Sequence, residues 1–86
     1  MSVIAIDINN FCLGYELYHY DDGAVEKIHC NTFEDIASFV PEYCYNHNVK
    51  KVMIQGNPVE GHELATMIYR NKAANYAEND LEIEVI

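Results

Sequence analysis

A short apolar run, residues 3–8, constrains the fold more than any other feature, and it contains a single carboxylate, Asp7. A nearly continuous apolar run of this length is typical of a central strand covered on both faces. Asn9 and Asn10 then supply a turn, and residues 11–18 alternate between apolar side chains and small or polar ones. This alternation predicts a half-buried antiparallel strand. The chain therefore begins with two paired strands.

A hairpin follows the second strand. Asp21, Asp22 and Gly23 form a strong signal for a tight turn between antiparallel strands. Residues 24–30 then predict a third strand, and the charged residues Glu26 and Lys27 place it nearer the edge of the sheet.

The next segment has the pattern of a helix. Thr32 can cap its N-terminus, and Asp35, three residues on, supplies a variant of the capping box. Pro41 interrupts the pattern, because a proline inside a helix costs roughly 3 kcal/mol or more. We expect either a kink at Pro41 or a second helical segment that begins there. The residues that recur at helical spacing are Phe33, Ile36, Ala37, Val40, Cys44 and His47.

The remaining sequence predicts a strand over residues 51–55, a helix over about residues 60–77 and a last alternating strand over residues 81–86. The inner side of this second helix is predicted to carry Leu64, Ala65, Ile68, Tyr69, Ala73 and Tyr76. The element order is β-β-β-α-β-α-β. We therefore predict one α/β domain over residues 1–86, built on a single five-stranded mixed sheet with helices on its faces.

The net charge of the chain limits the classes of partner that we expect. The net charge is −9, with only five cations, whereas general nucleic-acid binding draws its affinity from Lys and Arg that neutralise phosphates. Nucleic acid is therefore not the expected partner. No stretch reaches the length of a membrane helix and the N-terminus has no signal-peptide pattern, so we expect a cytoplasmic protein without membrane contact.

The tyrosine content favours a protein partner. Seven of the 86 residues are tyrosine, and this side chain suits interfaces because its ring is apolar and its hydroxyl tolerates water. We expect association with a protein partner or self-association, with a homodimer as the specific prediction. An exposed strand edge or a tyrosine-bearing helix face would form the contact.

Other reactive residues give weak patterns. Three cysteines at irregular spacing, Cys12, Cys30 and Cys44, indicate core packing rather than a zinc site or a disulfide framework. The four histidines show no metal-ligand spacing. Ser2 and Ser38 are the only serines, which argues against a Ser-His-Asp arrangement.

Three segments resemble parts of one superfamily. "IAIDINNFCLGYEL" ends a first strand in Ile6-Asp7 and places Gly14-Tyr15 in a second, and "VMIQGNPVEGHELATMIYRN" has a strand that leads through a Pro- and Gly-containing loop into a helix. "LEIEVI" falls where the next strand lies. With the element order, these segments resemble the ribonuclease H-like superfamily, in particular the branch of RuvC-type Holliday-junction resolvases and YqgF-like proteins. The resemblance implies a ribonuclease H-like fold over nearly the whole chain.

The resemblance also implies where an active site would lie. In the enzymes of this superfamily, clustered carboxylates bind two divalent metal ions that activate water for phosphodiester cleavage. Asp7 matches the first of these acids, and Gln55 stands where RuvC-type enzymes carry a glutamate. The later acids would fall beyond Ile86. Because a neutral amide does not balance metal charge, the resemblance implies a catalytically depleted site in which Asp7 is the candidate metal ligand.

Three functions remain open. The first is a non-catalytic module that acts by protein–protein association and needs no cofactor, with Asp7 accepting backbone hydrogen bonds at the end of the sheet. The second is a metal-dependent nuclease or resolvase that uses Mg²⁺ or Mn²⁺ at Asp7, with Gln55, Glu63 or His62 as further ligands. The third is an acidic inhibitor or nucleic-acid mimic, which would cluster its acidic side chains on one face.

Overall fold

The computed structural model describes residues 2–9 and 14–86. Its elements are β1 (Ser2–Asp7), β2 (Tyr15–Asp21), β3 (Ala24–Cys30), α1 (Phe33–His47), β4 (Lys51–Gln55), α2 (Pro58–Asn75) and β5 (Glu82–Val85). The predicted element order is confirmed. The predicted start of the second strand, residues 11–13, lies outside the described residues.

The strands form one sheet in the order β3-β2-β1-β4-β5. Strands β1, β2 and β3 pair antiparallel, while β4 pairs parallel with β1 and β5 pairs parallel with β4. The prediction of a single mixed five-stranded sheet is therefore confirmed. A parallel neighbour needs a crossover connection, and α1 and α2 lie in the connections that lead to β4 and β5.

The predicted hairpin turn joins β2 to β3. Asp21 pairs with Ala24, so Asp22 and Gly23 are the two turn residues, and both have positive φ, 47° and 90°. Two positive φ angles are what a turn matched to the strand twist requires, and aspartate followed by glycine adopts them most readily.

Helix α1 runs without interruption through Pro41. The alternative of two separate segments is therefore wrong. Thr32 caps the helix as predicted, since its hydroxyl oxygen accepts the backbone N–H of Asp35 at 3.0 Å. Pro41 is fully buried, so its packing offsets part of the free energy lost with its hydrogen bond. At the other end Asn48 adopts the left-handed conformation that ends helices.

Helix α2 begins two residues before the predicted start. Asn57 accepts the backbone N–H groups of Val59 and Glu60 through its side-chain oxygen, and Pro58 occupies the first turn, where a missing N–H is tolerated. Leu64, Ala65 and Ile68 are buried as predicted.

The inner side of the second half of α2 differs from the prediction. Tyr69 is 41% exposed and Ala73 is also exposed, so their assignment to the inner side is wrong. The buried stripe follows Gly61, Leu64 and Ile68 and continues at the half-buried Lys72. This spacing of three to four residues leaves Tyr69 one position outside the stripe.

Both helices pack on the same face of the sheet and contact each other. The core lies between this helix layer and the sheet, and its strand residues include Ile4, Ile6, Leu17, Val52 and Ile54. Helix α2 approaches the sheet closely at Gly61, where an added Cβ would lie 2.8 Å from Val85 Cγ1.

The opposite face of the sheet is open, since the described part of the chain places no helix there. Val3 and Ala5 are half-buried and Asp7 is exposed. The expectation that β1 is covered on both faces, with helices on each side of the sheet, is therefore wrong. The apolar run is a central strand as predicted, but only one of its two faces lies in the core. Among the described residues no helix is long and apolar enough to cross a membrane.

Candidate functional site

The open face presents a band of apolar and aromatic side chains. One register row across the sheet contains Lys27, Tyr18, Ala5, Met53 and Glu84, on β3, β2, β1, β4 and β5 in that order. The apolar members are at the centre of the sheet and the charged members are on its two edge strands. An apolar centre within a polar rim is the arrangement of a protein interface.

The neighbouring row repeats this arrangement in part. It contains Val25, Tyr20, Val3, Lys51 and Glu82. Tyr20 is 45% exposed and Val25 58% exposed, and the rings of Tyr18 and Tyr20 are 6.4 Å apart. The two tyrosines therefore form a ridge along β2.

A hollow of about 190 Å³ lies beside this ridge. Ala5 lies on the central strand with Tyr18 on one side and Met53 on the other, and Ile86 also contributes to the lining. A small residue between larger ones gives the open face a groove that runs parallel to a ridge. A groove beside a ridge can receive the ridge of a second surface.

Asp7 and Gln55 lie at one end of this hollow. They are register partners on parallel strands, so the structure brings the two residues of the implied active site together. Asp7 Oδ1 accepts the backbone N–H of Asn9 at 2.9 Å, which is the structural role considered for this carboxylate. Gln55 is exposed.

A second carboxylate lies beside Asp7 and was not anticipated. Glu16 is the partner of Asp7 on the antiparallel side, where side chains directly opposite each other are neighbours. Its Oε1 lies 3.3 Å from Nδ1 of His29, and its Oε2 is buried without a hydrogen-bond partner among the described residues. Only the β1–β2 register reveals this neighbour, and the sequence does not fix that register across residues 10–13.

The other proposed ligands lie elsewhere. Glu63 lines a separate hollow of about 400 Å³ with Tyr15 and Phe33, while His62 is exposed on α2. Neither residue lines the hollow at Asp7. Within residues 2–9 and 14–86, no group of three or more His, Cys, Asp or Glu side chains is arranged to hold a metal ion.

Two cysteines have the inert character expected of core residues. Cys30 and Cys44 are free and buried. Burial raises the pKa of the Cys44 thiol to about 12, and burial followed by the charge of Asp35 raises the pKa of Cys30. Both thiols therefore stay protonated at neutral pH, which disfavours nucleophilic or redox chemistry. Cys12 lies outside the described residues.

Four polar side chains on the helix-covered side form a hydrogen-bonded chain that the sequence analysis missed. Ser2 Oγ lies 2.6 Å from Nε2 of His19, and Nδ1 of His19 lies 2.7 Å from Oη of Tyr43. The Tyr43 hydroxyl donates to Oε2 of Glu26 at 3.2 Å. We call Ser2, His19, Tyr43 and Glu26 the serine network.

Three observations fix the character of this network. His19 is 7% exposed, so it needs partners at both ring nitrogens. Burial and then the hydrogen bond to Glu26 raise the pKa of Tyr43 to about 12, so its hydroxyl keeps its proton. His47 stacks on the Tyr43 ring at a centroid distance of 4.0 Å and closes the network on the helix side.

No protein-family model and no curated protein matches the chain. The open face and the serine network therefore have to be interpreted from their geometry and chemistry.

Proposed function

We propose that the protein is a non-catalytic ribonuclease H-like module that acts by protein–protein association, and that a second copy of the chain binds to its open sheet face. The observation that carries this proposal is the one-sided helix layer. It leaves Tyr18, Tyr20, Val25 and Met53 half-buried or exposed on the opposite face. Apolar surface that is concentrated on one face is characteristic of an interaction site.

The strand order supports the ribonuclease H-like part of the proposal. The resemblance implies three antiparallel strands followed by two parallel strands that helical crossovers return to the sheet, and the order β3-β2-β1-β4-β5 has this arrangement. One fold hosts many functions, so the fold supports the class of domain and the open face supports its activity.

Charge complementarity favours a second copy as the occupant. A two-fold axis parallel to the strands would place β3 of one copy opposite β5 of the other. Exposed Lys27 on β3 would then face exposed Glu84 on β5, twice in the symmetric pair. In the same row Tyr18 would face Met53, and the small Ala5 of each copy would meet at the centre. Sheets that pack face to face keep their strands within about 30° of each other, which is compatible with this pairing.

The donor set at Asp7 supports a non-catalytic role. Gln55 contributes a neutral amide, and one oxygen of Asp7 is engaged by a backbone N–H. The acidic residues are found in every element except β4, so they do not concentrate on one face as the nucleic-acid-mimic hypothesis requires. Association through the open face needs neither a metal site at Asp7 nor a face of clustered acidic side chains.

Exchanging the two rim charges tests the proposed pairing. Lys27→Glu and Glu84→Lys should each weaken self-association several-fold, because each places like charges opposite one another. The double variant Lys27→Glu/Glu84→Lys restores both pairs and should recover most of the wild-type affinity. Sedimentation equilibrium measures all four proteins. An additive loss in the double variant would show that the two side chains do not face each other.

One observation favours the nuclease as a second candidate, since Asp7 has Glu16 and Gln55 as neighbours on the two adjacent strands. If this candidate is correct, Mg²⁺ or Mn²⁺ will bind saturably and Asp7→Asn will abolish the binding. If the protein is instead a non-catalytic association module, calorimetric titration with millimolar metal will show the same weak heats for the wild-type protein and for Asp7→Asn. Asp7→Asn will then not weaken self-association, because the proposed axis brings the Asp7 carboxylates of the two copies toward each other and the variant removes that repulsion.

A further inference from the structure

The serine network has the directionality of an activated nucleophile. The Tyr43 hydroxyl has one proton and donates it to Glu26, so toward His19 its oxygen can only accept. Nδ1 of His19 therefore carries the ring proton, and Nε2 is left with its lone pair directed at Ser2. The serine hydroxyl donates to this nitrogen over 2.6 Å.

The arrangement meets the geometric requirement for nucleophilic catalysis by serine. A nucleophile must lie within hydrogen-bond distance of a base, and a third group must hold the base in the correct orientation and tautomer. His19 is the base and Tyr43 is its positioning residue. Glu26 acts one step further out by holding the Tyr43 hydroxyl.

The exposed end of the network opens onto a hollow. Ser2 is half-buried and, together with Asn48, Lys50, Lys51 and Glu82, lines a surface hollow of about 500 Å³. Its two ammonium groups would stabilise negative charge that develops on an oxygen beside Ser2. Lys50 is held in place by Oδ1 of Asn79 at 3.1 Å. This hollow does not overlap the lining of the hollow on the open face.

We propose that Ser2 is a nucleophile activated by His19 and that this site reacts with carboxylic esters. Ser2 Oγ forms a bond to the acyl carbon while its proton passes to Nε2 of His19. The bond from the acyl carbon to the alkoxide breaks, and the leaving alcohol takes that proton from His19. Water then attacks the acyl-serine and gives a proton to His19, and Ser2 recovers the proton as the ester bond to it breaks. The hollow shares Lys51 and Glu82 with the open face, but the four residues of the serine network lie on the helix-covered side. The proposal therefore adds an activity to the association module and leaves the carboxylate site at Asp7 non-catalytic.

Covalent labelling with a fluorophosphonate tests the proposal, because the chain contains an internal control. Ser2 and Ser38 are the only serines, and Ser38 is exposed on α1. The probe forms a phosphorus–oxygen bond to the serine and releases fluoride, and mass spectrometry of peptides measures both sites in one sample. We expect Ser2 to be labelled at least about 100-fold faster than Ser38, which is the scale of general-base assistance. Equal rates at the two serines would overturn the proposal.

Two variants separate catalysis from a structural role. His19→Gln keeps side-chain hydrogen-bonding groups but removes the base, so labelling of Ser2 should fall about 100-fold while labelling of Ser38 stays constant. Tyr43→Phe should lower the maximal labelling rate without changing the probe concentration at half-maximal rate, because Tyr43 does not touch the probe. Hydrolysis of p-nitrophenyl acetate should follow the same order. If a variant does not fold, the ratio between Ser2 and Ser38 in the wild-type protein still decides.

Discussion

Replacing Ile54 with alanine should lower the free energy of unfolding by about 2–5 kcal/mol. Ile54 is fully buried on the helix-covered face of β4, and α2 packs on it through Gly61, where an added Cβ would lie 3.6 Å from Ile54 Cγ2. Truncation removes buried apolar surface and leaves a cavity between two rigid elements. Because small domains have a total stability of about 5–15 kcal/mol, this one change removes a large share of it.

Ile86 provides a matched control for the same chemical change. Its backbone N–H donates to the carbonyl of Ile54 at 2.9 Å, yet its side chain is 59% exposed and lines the hollow on the open face. Ile86→Ala should therefore change the free energy of unfolding of the monomer by less than about 0.5 kcal/mol. Urea denaturation at one low protein concentration measures both variants, and Ile54→Val should fall between them at about 0.5–1.5 kcal/mol. Similar losses for Ile54→Ala and Ile86→Ala would mean that both faces of the sheet are packed.

The second large effect concerns association. Tyr18→Arg places a positive charge at the centre of the open face, next to the small Ala5. In the proposed pair this charge would be buried against Met53 of the other copy, and burying an unpaired charge is strongly unfavourable. We expect the dissociation constant of the pair to rise at least about 30-fold, which corresponds to about 2 kcal/mol and to an interface hot spot.

Val59→Arg is the control for this variant. Val59 is the most exposed large hydrophobic residue in the described part of the chain, at 76%, but it lies on α2, away from the open face. A protein that associates through general stickiness would lose as much affinity through Val59→Arg as through Tyr18→Arg. Size-exclusion chromatography with light scattering distinguishes the two cases. Equal effects of the two variants would contradict the assignment of the open face as the interface.

The strands and turns could be predicted because their signals are local. The bounds of β3 and β4 follow from turn residues at their ends and from their patterns of side chains, and the turn at Asp22 and Gly23 follows from the φ angles that these residues tolerate. The cap at Thr32 is local in the same sense. Each of these features depends on residues a few positions apart.

The covering of the sheet could not be predicted, because it depends on where the two crossovers pack. An apolar run such as residues 3–8 has the same composition whether one or both of its faces are buried, and here only Ile4, Ile6 and Ile8 are in the core. The exposure of Tyr69 has a similar origin, since the rotation of α2 is set by close packing at Gly61 against Val85. Long-range packing determined both outcomes.

The candidate sites, like the fold, were predictable in one part and not in another. Asp7 and Gln55 were expected near each other because the resemblance places both at the ends of neighbouring strands, and they are register partners. The pairing of Ser2 with His19 joins residues 17 positions apart and follows from a register that no turn signal fixes. A histidine at an alternating position of a strand is the only trace of it in the sequence.

Sedimentation equilibrium of the wild-type protein, from low micromolar to submillimolar concentration, tests the central claim most directly. A five-stranded face is at the small end of stable interfaces, for which micromolar affinity is reasonable. We predict a reversible equilibrium between the 9.9 kDa chain and a species of twice that mass. A single 9.9 kDa species at every concentration would contradict self-association through the open sheet face.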